Sequence, residues 1–399
     1  MSYIGGFKVN NVRNLVPFEV SFSQKKNIII TGKNGSGKTT LLEAIRDELS
    51  RLKKHGEEDT LRYREAYLKL LNEQQSRPLT NSERFQFESF EQMGGKGDID
   101  IFLNDSAKVI TSEILVFFNS RRATEAITPK GPQIISYGDS SSSSPGYNAN
   151  FIQYLVNLWT EKSYAREDRD FKRVNELDSW FNNLTDKLRY IFEDKDLKLE
   201  FDRKIFNFWI SQNGKARYSF NELSDGMSSV ISIVSELMLR MDEGRNSSFE
   251  ESGVVIIDEI ENHLHVSLQK IILPFLSSLF PNIQFVVSTH SPFVLISDPK
   301  TFIVDLEKGE KHDNFSSFSY EAVLEDYFKV DKYSSSIKKQ VKDIEEMVTS
   351  GQYDAAKIKI EHTKRIAGLN KGNADKTSGE LVLALTDLEL LIKVGMAGK

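Results

Sequence analysis

Gly32-Lys33-Asn34-Gly35-Ser36-Gly37-Lys38-Thr39, followed by Thr40, is the stretch that decides the fold. It fits G-x-x-x-x-G-K-[ST] and lies between an apolar run, Asn27–Thr31, and a helical pattern starting near Lys38. The spacing has a physical reason. Glycines let the backbone wrap a β-phosphate so that successive N–H groups point inward. Lys38 then reaches the β- and γ-phosphates, and Thr39 offers a hydroxyl to Mg²⁺. The alternative is a chance Gly-rich turn, and the flanking strand and helix argue against it. The expected ligands are a nucleoside triphosphate and Mg²⁺, contacted by Gly32, Asn34, Gly35, Ser36, Gly37, Lys38, Thr39 and Thr40.

Working outward, Val254-Val255-Ile256-Ile257-Asp258-Glu259 is an apolar run ending in two acids. A buried parallel strand delivers such carboxylates to the edge where the phosphate loop sits. Asp258 is expected in the Mg²⁺ shell, and Glu259 is expected to orient and deprotonate the attacking water. Ser224-Asp225-Gly226 opens another helix, with Ser224 placed as its N-cap. An exposed helix start of this kind can hold a γ-phosphate. Phe285-Val286-Val287-Ser288-Thr289-His290 is a further buried strand, and it ends in a candidate γ-phosphate sensor, His290. A lone Ser-capped helix or strand-end histidine is usually structural. The order and spacing of all four elements change that reading.

Together the motifs resemble those of ABC-type ATPases of the RecF/SMC/Rad50 and OLD branch. Asn11–Leu15 ("NVRNL") and Thr289–Leu295 ("THSPFVL") look like that branch too. The resemblance covers residues 1–46, 113–122 and 218–306. It implies that Arg13 approaches the phosphates, that Ser224 and Gly226 contact the γ-phosphate held by a second subunit, and that His290 senses it. It further implies a homodimer or higher oligomer sandwiching ATP. The sequence departs from the family in lacking the glutamine expected after the strand at 113–118, so Asn119 or an arginine is left for the Mg²⁺ or γ-phosphate relay. Met227 replaces the commoner glutamine or glutamate at the end of the signature.

The expected fold class is α/β: an ABC-type P-loop ATPase domain with a helical insertion lobe and a C-terminal all-α region. Residues 1–122 form an ATPase lobe with an insertion at about 47–95, and residues 123–222 a loop and helical lobe leading to the signature. Residues 223–310 carry the signature, the Asp-Glu strand and His290, and 311–399 are a helical dimerisation or partner-binding region. The serine run at 140–144 marks a lobe boundary, and residues 197–201 and 205–211 read as a hairpin turning at Gln212-Asn213-Gly214. The charged helix at 49–75 spans at most ~40 Å, too short for a DNA-tethering coil.

Composition narrows the function. Of the 399 residues 39% are hydrophobic, enough for a sizeable core. Cys is 0, which removes disulfides, thiolate metal sites and cysteine nucleophiles. No apolar run is long enough to span a membrane, and the start does not read as a signal peptide, so a cytoplasmic location is expected. The net charge of -6 favours a protein partner over wholesale nucleic-acid coating, although DNA contact through Arg121-Arg122 stays possible. Glu261-Asn262-His263-Leu264-His265 could suggest a metal, but it lacks zinc-ligand spacing, so His263 and Glu261 read as interface or support residues. Beyond residue 306 there is no D-x-D effector motif, and Leu383, Leu385, Leu388, Leu390 and Leu391 should pack on this chain, a second copy or a partner.

The stand-alone architecture is similar to the ATPase subunits of Septu or PARIS anti-phage systems. That similarity implies a separately encoded nuclease or toxin as partner. The rival readings are a RecF-like DNA-repair ATPase and a scaffold whose hydrolysis matters little.

Overall fold

The computed structural model describes residues 3–93, 96–104, 114–122, 127–135, 148–243, 251–327, 335–366 and 385–393. Two units divide the chain, Met1–Ser319 and Tyr320–Lys399.

In the first unit, a six-stranded sheet has the order β12-β11-β3-β10-β9-β5. Its strands are β3 (Asn27–Thr31), β5 (Ile114–Phe118), β9 (Gly253–Ile257), β10 (Ile283–Ser288), β11 (Thr301–Asp305) and β12 (Glu310–His312). All pair in parallel except β12, which turns back on β11 at the edge. Every residue of β3, β9 and β10 is buried, as a parallel sheet covered on both faces requires. The switch in strand order puts the carboxyl ends of β3, β10 and β9 side by side, where α/β sheets hold ligands.

A second sheet, antiparallel, has the order β2-β1-β4 and consists of β1 (Ile4–Val9), β2 (Phe18–Ser21) and β4 (Ile99–Leu103). β1 and β2 form an N-terminal hairpin, with β4 added to the free side of β1. Between the sheets runs the start of α1 (Lys38–Ser76). Its Leu41, Leu42, Ile45, Leu49 and Leu52 share one core with Phe7 and Val9 of β1, Ile28 and Ile30 of β3, and Val286 of β10. The spacing of these leucines gives one apolar face over three turns. Buried Gln284 ties the layers together. It accepts from Ile4 N–H at 2.8 Å and donates to the carbonyls of Ile4 and Lys26 at 3.1 and 2.8 Å.

Two helical stretches anticipated separately, one from Lys38 and one at 47–75, form a single element broken at Gly56 (φ 77°). α2 (Asn81–Gln92) folds back along α1 from a Thr80/Glu83 capping box, with Tyr67 stacked on Phe87 at 4.5 Å. α3 (Phe151–Glu167) and α4 (Phe171–Ile191) then lead to a three-stranded sheet of β6 (Lys198–Asp202), β7 (Asn207–Ser211) and β8 (Tyr218–Ser219). The β6–β7 hairpin is present, but its turn lies at 203–206, with Phe206 at φ 51°. Gln212-Asn213-Gly214 instead joins β7 to β8, with Gly214 at φ 74° supplying the left-handed residue. α5 (Asp225–Glu243) follows and begins directly after Ser224. The serine run at 140–144 lies outside the described residues.

The second unit contains the helices Ser335–Thr349 and Tyr353–Ile366, separated at Gly351 (φ 76°), and a helical stretch at 385–393. Leu385, Leu388 and Ile392 pack on Ile344, Ala356 and Ile360. Leu390 and Leu391 are more than half exposed on this chain, which leaves them to the second copy or partner that the expectation also allowed, and Leu383 lies outside the described residues. Among the described residues no helix is long and apolar enough to cross a membrane.

Candidate functional site: a phosphate loop facing an acidic strand end

The loop between β3 and α1 depends on its glycines. Gly32, Gly35 and Gly37 have φ of 135°, 85° and 95°, which L side chains rarely adopt. A Cβ on Gly37 would lie 2.6 Å from Leu15, and one on Gly32 would lie 2.8 Å from Ser36 Oγ. Lys38 is buried and its Nζ points into the loop, donating to the carbonyls of Gly32 (2.7 Å) and Lys33 (3.0 Å). Ser36 Oγ and Thr31 Oγ1 are buried there without a hydrogen-bond partner. Unpartnered buried hydroxyls beside a lysine and inward-turned backbone suit an anionic oxygen-rich ligand.

Opposite this loop stands the end of β9. Thr39 Oγ1 donates to Asp258 Oδ2 at 2.9 Å, and Ser288 Oγ donates to Asp258 Oδ1 at 2.5 Å. Ser288 Oγ in turn accepts from Glu259 N–H at 2.7 Å. Ser288 therefore holds the Asp258 carboxylate and the Glu259 backbone, a role not assigned to it from the sequence. Its only signal was a hydroxyl at the C-terminal residue of a buried strand. Glu259 has φ 47°, a left-handed backbone that costs a non-glycine residue about 1–2 kcal/mol.

Arg122 holds that turn. Its Nη1 donates to the Asp258 carbonyl at 2.6 Å, and its Nη2 donates to those of Glu259 (2.8 Å) and Ile260 (3.3 Å). Its Nε donates to Ser229 Oγ on α5 at 3.0 Å. Burial pushes its guanidinium down to about 10, offset in part by Glu261, Asp258 and Glu259, so it stays charged at neutral pH. With its side chain interior, Arg122 is not available to a nucleic-acid backbone, whereas Arg121 is exposed. Asn119 is also exposed, at the end of β5, and its Oδ1 accepts from Arg121 N–H at 3.1 Å.

His290 follows β10. Its N–H donates to Glu261 Oε1 at 2.7 Å, and its Nδ1 lies 3.4 Å from the same oxygen. Glu261 is buried with Oε2 unpartnered, while the His290 ring is half-exposed. Ser224 and Gly226 sit elsewhere, in an open cavity of about 550 Å³ with His263 and His265. Gly226 packs so tightly that a Cβ would lie 2.7 Å from the His263 carbonyl, which joins the start of α5 to the loop after Glu259. Arg13, at φ 41°, lines another cavity of about 350 Å³ with Thr40, Glu43 and Asp47 on α1. Among the described residues no group of three or more acids and histidines is gathered as a metal cluster would need.

The family model described as "AAA domain, putative AbiEii toxin, Type IV TA system" matches residues 28–297, from β3 to just past His290. The chain belongs to this AAA ATPase family. Among curated proteins, this AAA-family chain is 25% identical to the Septu protein PtuA of Bacillus mycoides (strain KBAB4), over 73% of its length and 39% of the relative's. It is 33% identical to the Retron Vc95 probable ATPase of Vibrio cholerae serotype O1 biovar El Tor, over 39% of its length and 33% of the relative's. The matches thus span only about two-fifths and one-third of these relatives. Among solved structures, the SMC head domain from Thermotoga maritima overlaps 77% of this chain and 97% of that one, at 13% identity and TM-score 0.36.

Proposed function

We propose that this AAA ATPase binds ATP with Mg²⁺ between the phosphate loop and the end of β9, hydrolyses it, and thereby opens and closes a pair of subunits. The Thr39–Asp258 hydrogen bond at 2.9 Å carries this reading. It puts the two oxygen donors suited to Mg²⁺ beside the loop lysine, with Glu259 next in the chain.

In this reading, Lys38 exchanges its bonds to the Gly32 and Lys33 carbonyls for phosphate oxygens. Gly32, Asn34, Gly35 and Gly37 offer backbone N–H groups to the β-phosphate, Ser36 N–H turns to it from the Lys33 carbonyl while Ser36 Oγ gains the partner it lacks, and Thr40 and Arg13 border the rest of the nucleotide. Thr39 and Asp258 would hold a Mg²⁺ ion, which would supply positive charge to offset that of the phosphates. Glu259 accepts a proton from water as the water oxygen bonds to the γ-phosphorus. The bond from that phosphorus to the bridging oxygen breaks, and ADP and phosphate leave. His290, held by Glu261, faces the γ-phosphate. Asn119, the exposed polar residue at the end of β5, is assigned to the outer metal shell.

Ser224 and Gly226 serve the γ-phosphate of a second copy. Support comes from their separate open cavity and from the exposure of Ser224 at the start of α5. The Septu and retron relatives favour a cytoplasmic defence role in which this switch gates a separately encoded nuclease or toxin.

Sedimentation of Glu259→Gln with and without ATP tests the switch. The variant should form a stable dimer only with ATP, and a Ser224→Arg copy should not join it. An ATP-independent dimer, or a monomer throughout, would sink the sandwich. Co-purification with neighbouring gene products tests the partner. A nuclease-bearing assembly supports the defence reading, and free dimers whose turnover rises with DNA would replace it by a repair role.

A further inference from the structure

We infer that Arg122 is a positioning residue that couples the start of α5 to the carboxylate of Glu259. The inference rests on the reading of the site as an ATPase centre and assigns a residue to its regulation.

Three successive carbonyls, those of Asp258, Glu259 and Ile260, accept from one guanidinium. Carbonyls that converge on one point belong to a tight turn, and the centre of this one is the left-handed Glu259. The fork of the guanidinium therefore holds a backbone geometry that the chain alone disfavours. The fifth donor, Nε, goes to Ser229 Oγ, which is 2% exposed and lies one helical turn beyond Ser224 and Gly226. A movement of the first turn of α5 must carry Ser229 with it, because the helix is rigid over one turn. Arg122 then either follows, shifting the Glu259 turn, or loses its Nε partner inside the protein, where an unpaired charged donor is costly. Gly226 packed against the His263 carbonyl gives the same helix start a second hold on the same loop. Engagement of the signature by a second copy can in this way reset the placement of Glu259 without touching it.

Ser229→Ala cuts the link at its α5 end and leaves the carbonyl bonds in place. Its ATP turnover should fall about ten-fold, with KM within about two-fold of wild type, the kinetic weight of one hydrogen bond to a charged group. Adding Ser224→Ala should cost little more than either change alone, because both act through one path. Wild-type turnover in Ser229→Ala, or fully additive losses, would overturn the coupling. Hydrogen–deuterium exchange gives a readout free of turnover. Exchange at residues 258–261 should rise in Ser229→Ala while residues 32–39 stay as in wild type, and unchanged exchange at 258–261 would overturn the proposal. A wild-type protein without turnover would count against the ATPase reading, and the exchange measurement would still decide the coupling.

Discussion

At the residue scale, the site depends on a few atoms whose neighbours leave no slack. Gly226 is the plainest case, because any Cβ there meets the His263 carbonyl at 2.7 Å and the obstacle is backbone. Gly226→Ala should therefore cost about 1–3 kcal/mol and lower the melting temperature, with ATP-dependent dimerisation lost at the same time. Unchanged melting and dimerisation would show that the loop after Glu259 yields freely. Lys38→Ala removes the buried charge of the phosphate loop, and fluorescent-nucleotide titration should show binding weakened at least about 100-fold. The glycines and lysine were legible because the motif states its own geometry. Ser288 and Arg122 were not, because their value comes from carbonyls and a carboxylate 30 to 138 residues away in sequence.

At the element scale, two junctions carry separate predictions. Buried Gln284 bonds to both backbone groups of Ile4 and to the Lys26 carbonyl, joining the antiparallel sheet to the parallel one. Gln284→Leu leaves those backbone groups unpaired, and chemical denaturation should show a loss of about 2–4 kcal/mol. The α1–α2 hairpin is instead sensitive to acid. Glu83, bonded first of all to Arg77 and then to Thr80, has its carboxyl pulled down to about 2. A depressed carboxyl stabilises above its ordinary range near 4.5 and loses that contribution as pH falls towards about 2. Amide exchange in residues 81–92 should therefore accelerate through that window, and Glu83→Gln should flatten the response.

Elements were legible where a strong local signal agreed with the packing, as at β3, β9 and α5. The β6–β7 turn was misplaced because Asn213-Gly214 is a genuine turn signal that serves the next connection, while Phe206 adopts its left-handed state without a favoured residue. The joining of β4 to β1 had no local signal at all, since register between distant strands is set by the shared core with α1.

At the scale of the whole molecule, the proposed protein partner accords with the net charge of -6 and with the interior placement of Arg122. The central claim is narrower: that Thr39, Asp258 and Glu259 form a working ATPase centre. Phosphate release from ATP with Mg²⁺ tests it most directly, measured side by side on wild type and Glu259→Gln with nucleotide affinity recorded for both. The account predicts turnover in wild type, and in Glu259→Gln a fall of at least about 100-fold with ATP still bound. Equal turnover in the two proteins would contradict it.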